Sequence, residues 1–119
     1  MKYTLYYDRE CATCEEFIRI FNENNRDVTL KDIQRKVGIQ EGAYRWEQID
    51  LTEEFDHPSS FIPLVLMEDE GVRKLFVGGT KEEEIRNVNN NKFIFTSHED
   101  GINKLTAILK KNEKSKTII

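Results

Sequence analysis

The sequence predicts one α/β domain, a mixed central β-sheet flanked by helices, and three observations carry that expectation. Stretches with strand character alternate with amphipathic helical stretches along the chain. Two apolar runs, residues 62–68 and 72–77, are joined by Glu68-Asp69-Glu70-Gly71 and read as an antiparallel hairpin. The chain has 119 residues, 38% of them hydrophobic and 34% charged, which suits a single core and a single domain over 1–112 with a frayed tail at 113–119.

Residues 2–7 (KYTLYY) are aromatic and apolar without a breaker, so they form the first strand, which Asp8-Arg9-Glu10 ends. A helix begins near Cys11. Cys14, Phe17, Ile18 and Phe21 recur at helical spacing and define its inner face, and the run Asn22 to Asn25 stops it. Residues 28–37 fit either a helix capped by Asp27 or a strand from Val28 to Ile33. Tyr44, Trp46, Ile49 and Leu51 suggest a strand over 43–51, followed by a short helix or an irregular link broken at Pro58. After the hairpin, residues 81–87 read as one or two helical turns, the asparagines at 89–91 as a loop, and 92–96 as a short strand. Ser97 caps a last helix whose apolar stripe is Ile102, Leu105, Ile108 and Leu109.

A net charge of -4 excludes a global basic field for nucleic acid or an anionic membrane, so neither is expected as a partner. No apolar run approaches the ~18–20 residues that span a bilayer. Residues 1–8 lack the apolar core and cleavage site of a secretory signal, which makes the cytoplasm the expected location. In such a reducing compartment two cysteines three residues apart suit catalysis or metal binding better than a structural disulfide.

Cys11-Ala12-Thr13-Cys14 stands where a strand gives way to a helix. Residues three apart on a helix are neighbours, so a disulfide needs only modest adjustment. The helix N-terminus favours a thiolate at Cys11, which makes it the nucleophile. Cys14, on the apolar face, is the resolving thiol. Two other readings stand beside this one: a reduced core pair, and a zinc site completed by His57 and His98, although these histidines lack the close spacing of a zinc motif. Ile62-Pro63 opens a buried-type strand. Pro63 is expected either as a first-strand proline in trans or as a cis residue that turns the backbone of residue 62 toward the dithiol for pairing with a substrate segment. Gly78-Gly79-Thr80 is expected to exit the hairpin into a helix cap. The N–H groups of residues 79–81 there suit a carboxylate.

Together these residues resemble the thioredoxin-like superfamily, nearest to its glutaredoxin-like members. The stretch from Asp8 to Cys14 is also similar to the D-x-x-C-x-x-C signature of DCC-type thiol–disulfide oxidoreductases. The resemblance implies a thioredoxin-like fold with small insertions at 24–42 and 87–96, and a cis-proline at Pro63. It implies catalysis by Cys11 and Cys14 and substrate contacts at Thr13, Ile62, Pro63, Gly79 and Thr80. The chemistry implied is disulfide exchange with protein disulfides or glutathione mixed disulfides, recycled by a dithiol reductant. Glutathione is the candidate co-substrate, and no bound cofactor or metal is implied. The dipeptide between the cysteines is Ala-Thr, where glutaredoxins usually carry Pro-Tyr and thioredoxins Gly-Pro. Asp8, Glu10, Glu15 and Glu16 oppose a thiolate while Arg9, Arg19 and the helix end favour it, so a protein on the reductant side is expected. A redox-inactive adaptor of the same fold, docking a partner strand near Pro63, is the alternative.

Overall fold

The computed structural model describes residues 1–33, 44–54, 62–78, 84–88, 91–96 and 98–117. Its elements run β1 (Lys2–Tyr7), α1 (Ala12–Glu23), β2 (Val28–Asp32), α2 (Arg45–Glu53), β3 (Leu64–Asp69), β4 (Val72–Gly78), β5 (Glu84–Val88), β6 (Asn91–Thr96) and α3 (His98–Thr117). The α/β class expected from the sequence is the class observed.

The strands form one six-stranded sheet in the order β2-β1-β3-β4-β6-β5. β1 pairs parallel with β2 and antiparallel with β3, β3 antiparallel with β4, β4 parallel with β6, and β5 antiparallel with β6. The hairpin turn between β3 and β4 places Glu70 and Gly71 at φ 47° and 81°. Glycine accepts that left-handed region without the penalty a Cβ imposes.

Alternation along the strands divides the core in two. On one face Tyr3, Leu5, Val65, Met67 and Phe76 pack against Phe17, Ile20 and Phe21 of α1 and Leu105 and Leu109 of α3. On the other, Tyr6, Leu64, Leu66, Leu75 and Val77 pack with Ile33, Leu51 and Ile62. The α1 register is tied down by aromatic pairs, with ring centroids 5.3 Å apart for Tyr3–Phe21 and 6.0 Å for Phe17–Phe76.

Several sequence expectations need correction. Residues 45–53 are helical, not a strand. The buried face of α2 is Gln48 and Thr52, two polar residues, with Leu51 beside them, while Trp46 is exposed. Hydrophobic alternation therefore marked the wrong face. Residues 84–88 form an edge strand, not helical turns, because β6 offers an unpaired ladder and tertiary pairing overrides local propensity. Of the two readings of residues 28–37, the strand holds over Val28–Asp32, which is β2, and the short strand expected at 92–96 is β6. Ile20 takes the fully inward place on α1, and Ile18 packs at the margin. The last helix expected from the sequence is α3, His98–Thr117.

Candidate functional site: a dithiol at the start of α1

The chain leaves β1 at Tyr7 and turns through Asp8-Arg9-Glu10. The Asp8 carboxylate accepts the Glu10 N–H at 3.0 Å, and the Asp8 carbonyl accepts the Cys11 N–H at 3.2 Å. This is a side-chain-stabilised turn of the kind aspartate favours. It delivers Cys11 to the N-cap of α1 in extended conformation, φ -99° and ψ 110°. The Cys11 Sγ takes the place of the usual cap oxygen and accepts the Cys14 N–H at 3.1 Å. A sulfur so placed has an amide donor and the positive helix end directed at it.

Cys14 lies one turn on and is fully buried, whereas Cys11 is half-buried, and both thiols are free. Burial pushes the Cys14 thiol far above its ordinary range. Its hydrogen bond to the Cys11 sulfur pushes it further, while a backbone hydrogen bond with Asp8 works the other way. Cys14 is therefore a protonated thiol in the reduced protein.

Charges flank the dithiol. Arg9 is paired with Asp32 at 2.6 Å, and Arg19 with Glu23 at 2.8 Å and with Glu16. Both cations are thus occupied. Asp8, Glu10 and Glu15 have no cationic partner among the described residues.

The strand registers bring other expected site residues to the same end of the sheet. Leu64 lies opposite Tyr6, so Pro63 meets the end of β1 from which Cys11 departs. The Ile62–Pro63 peptide is cis. Pro63 is buried, and its carbonyl accepts the Gly78 N–H at 3.0 Å, joining the ends of β3 and β4. Ile62 packs into the second core cluster. Thr13 is half-buried in the first turn of α1. Gly79, Thr80 and His57 lie outside the described residues, as does the His98 side chain. Among the described residues no group of three His, Cys, Asp or Glu side chains gathers to hold a metal. No helix among them is long and apolar enough to cross a membrane.

Two supports of this site escaped the sequence reading. The first is a close approach behind the dithiol. A Cβ on Gly78 would lie 2.5 Å from Cζ of Phe17, and one on Gly101 of α3 would lie 3.2 Å from the Gly78 Cα. Small residues at both positions let α1 and α3 seat on β4. The Gly78-Gly79 pair was the only signal. The second is a polar clamp under α2. Tyr6 donates to Glu47, which also takes Lys31, and the Lys31 ammonium stands 5.6 Å from the Tyr6 ring centroid and 5.0 Å from that of Tyr44. Burial, then the Glu47 hydrogen bond, pushes the Tyr6 phenol well above its ordinary value. Burial raises Glu47 too, but the Lys31 and Tyr6 hydrogen bonds outweigh it and leave the carboxyl below the usual range.

No protein-family model, curated protein or solved structure matches the chain.

Proposed function

We propose that the chain is a thiol–disulfide oxidoreductase of thioredoxin-like fold, working through Cys11 and Cys14. The observation that carries this reading is the pairing of a half-buried cap sulfur, hydrogen-bonded by an amide, with a second thiol sealed one turn below it. The strand order β2-β1-β3-β4, with a parallel β1/β2 pair and an antiparallel β3/β4 hairpin, supports the fold assignment, as β1-α1-β2 and β3-β4-α3 units are what the thioredoxin-like pattern requires. The β5/β6 hairpin is then an insertion before α3.

In the first step the Cys11 thiolate attacks one sulfur of a substrate disulfide. A Cys11 mixed disulfide forms, and the other substrate sulfur leaves as a thiolate. In the second, the Cys14 thiolate attacks the Cys11 sulfur. The substrate leaves as its second thiolate, and a Cys11–Cys14 disulfide remains. Two electrons have passed to the substrate. A dithiol reductant or two glutathione molecules return them. The environment of Cys14 times these steps. While Cys11 is a free sulfur, its hydrogen bond and charge help hold the Cys14 proton. Once Cys11 is in a mixed disulfide that charge is gone, so Cys14 ionises more easily when it is needed.

The test is a trap. Cys14→Ser exposed to a protein disulfide or to oxidised glutathione should accumulate a mixed disulfide on Cys11, identified by mass, and Cys11→Ser should accumulate none. The same pair of variants decides against a redox-inactive adaptor, which would form no adduct in either. Absence of a Cys11 adduct in folded Cys14→Ser would remove the proposal.

A further inference from the structure

A cluster of lysines lies on the α1/α3 side of the sheet, at the end remote from the dithiol. Lys74, Phe76 and Gly78 alternate along β4 and so share one face, the face on which Phe76 joins the first core cluster and Gly78 meets Phe17. Lys92 is the register partner of Lys74 on β6, and Ile94, on the same side of β6, packs on that cluster too. Neighbouring strands lie about 4.7–4.9 Å apart, so register partners on one face are close and like charges there repel. Lys111 joins them from α3. The Gly78–Gly101 contact sets a common origin. Lys74 lies about 13 Å from it along β4 at ~3.3 Å per residue, and Lys111 about 15 Å from it along α3 at ~1.5 Å per residue. The helix therefore brings Lys111 back to the level of Lys74.

Lys92 from β6 and the exposed Lys111 from α3 thus stand close enough to Lys74 to act on it, and Lys74 is half-buried. Burial, then the charges of Lys92 and Lys111, lowers its ammonium below the ordinary lysine value. Lys74 and Lys92 have no acidic partner among the described residues. A desolvated cation beside like charges is costly, and a counter-anion removes the cost.

We propose that Lys74 and Lys92, in the added positive field of Lys111, form a binding site for a multiply charged oxyanion of the phosphate class. The donors are ammonium groups without a guanidinium fork. They read charge rather than the planar geometry of a carboxylate, which favours a dianion over a monocarboxylate. Free phosphate and the phosphoryl group of a small metabolite share this chemistry.

The experiment is thermal unfolding of the reduced full chain with inorganic phosphate replacing chloride at constant ionic strength, beside amide NMR shifts. Tm should rise saturably with phosphate and stay flat with acetate, and the amides of Lys74 and Lys92 should shift with the same midpoint. Lys74→Met should lose the response, and without phosphate should melt above wild type because a like charge has gone. Lys92→Met should weaken phosphate about tenfold, the order expected when one nearby charge is removed near a surface. A phosphomonoester that saturates below the phosphate midpoint assigns the site to a metabolite, and one that does not assigns it to free phosphate. A Tm that follows ionic strength alone, or a phosphate response surviving intact in both lysine variants, overturns the proposal.

Discussion

Gly78→Ala should destabilise the protein by about 1–2 kcal/mol, although alanine is normally the better strand residue. Only Gly71 among the described glycines needs a left-handed backbone, so alanine at 78 meets no conformational barrier. Removing a glycine restricts the unfolded chain and is worth about 0.4–1 kcal/mol in favour of folding. Against that stands the new methyl, 2.5 Å from Cζ and 3.3 Å from Cε2 of Phe17. Phe17 is fully buried against Phe76, so the ring cannot swing away without moving α1. Overpacking of this kind costs about 1–3 kcal/mol. Gly101→Ala is the contrast. Its closest contact is 3.2 Å, and it gains helix propensity of about 1 kcal/mol, so it should fall within about 0.5 kcal/mol of wild type. Urea unfolding followed by circular dichroism reads both. If the clash is the cause, Phe17→Leu should partly rescue Gly78→Ala, with a coupling of at least about 0.5 kcal/mol. A Gly78→Ala protein as stable as wild type, or strict additivity with Phe17→Leu, would refute the reasoning.

Four further outcomes are expected. Brief alkylation of the reduced protein should label Cys11 well before Cys14, as read by peptide mass, and the reverse order would exchange their roles. Folded Cys14 keeps its proton above about pH 8.5, where the thiol of the unfolded chain loses it, so the reduced protein should lose stability as pH rises beyond that point. Urea unfolding across pH 7–10 should show a shallower fall for Cys14→Ala, and equal slopes would deny the buried-thiol account. Tyr6→Phe removes the hydrogen bond to Glu47 and should cost about 0.5–1.5 kcal/mol, with a core of unchanged shape. Because Asp8, Glu10 and Glu15 lie close to Cys11 in the chain and have no cationic partner among the described residues, Cys11 should exchange faster with cystamine than with an anionic disulfide of equal reactivity, and added salt should narrow the gap.

The legible parts of the sequence were those where one physical signal dominated. The β1 run, the hairpin between β3 and β4, and the α1 stripe through Cys14 and Phe17 each obey a single period over enough residues to fix the element. The burial of Cys14 followed from the same stripe. Helix α2 was illegible because Gln48 and Thr52 fill its inward face, and the apolar Trp46 points outward. No hydrophobic pattern can expose a helix whose buried residues are polar. Strand β5 was illegible because the charged run leading into it favours a helix locally, and residues 84–88 are strand only by pairing with β6. At the site, the Asp8 turn and the Phe17–Gly78–Gly101 contact depend on segments far apart in the chain, and a glycine pair gives no hint of which ring it accommodates.

The central claim is that Cys11 and Cys14 form one reversible two-electron couple. The direct measurement is equilibration of wild-type protein in graded glutathione redox buffers, acid quench, alkylation, and intact mass. The account predicts two species, the dithiol carrying two alkyl groups and the unalkylated intramolecular disulfide, interconverting through a single transition with a midpoint between about -270 and -200 mV, the span of thioredoxin and glutaredoxins. A pair that stays reduced across the whole series, or that gives only glutathione adducts and never the Cys11–Cys14 disulfide, would contradict it.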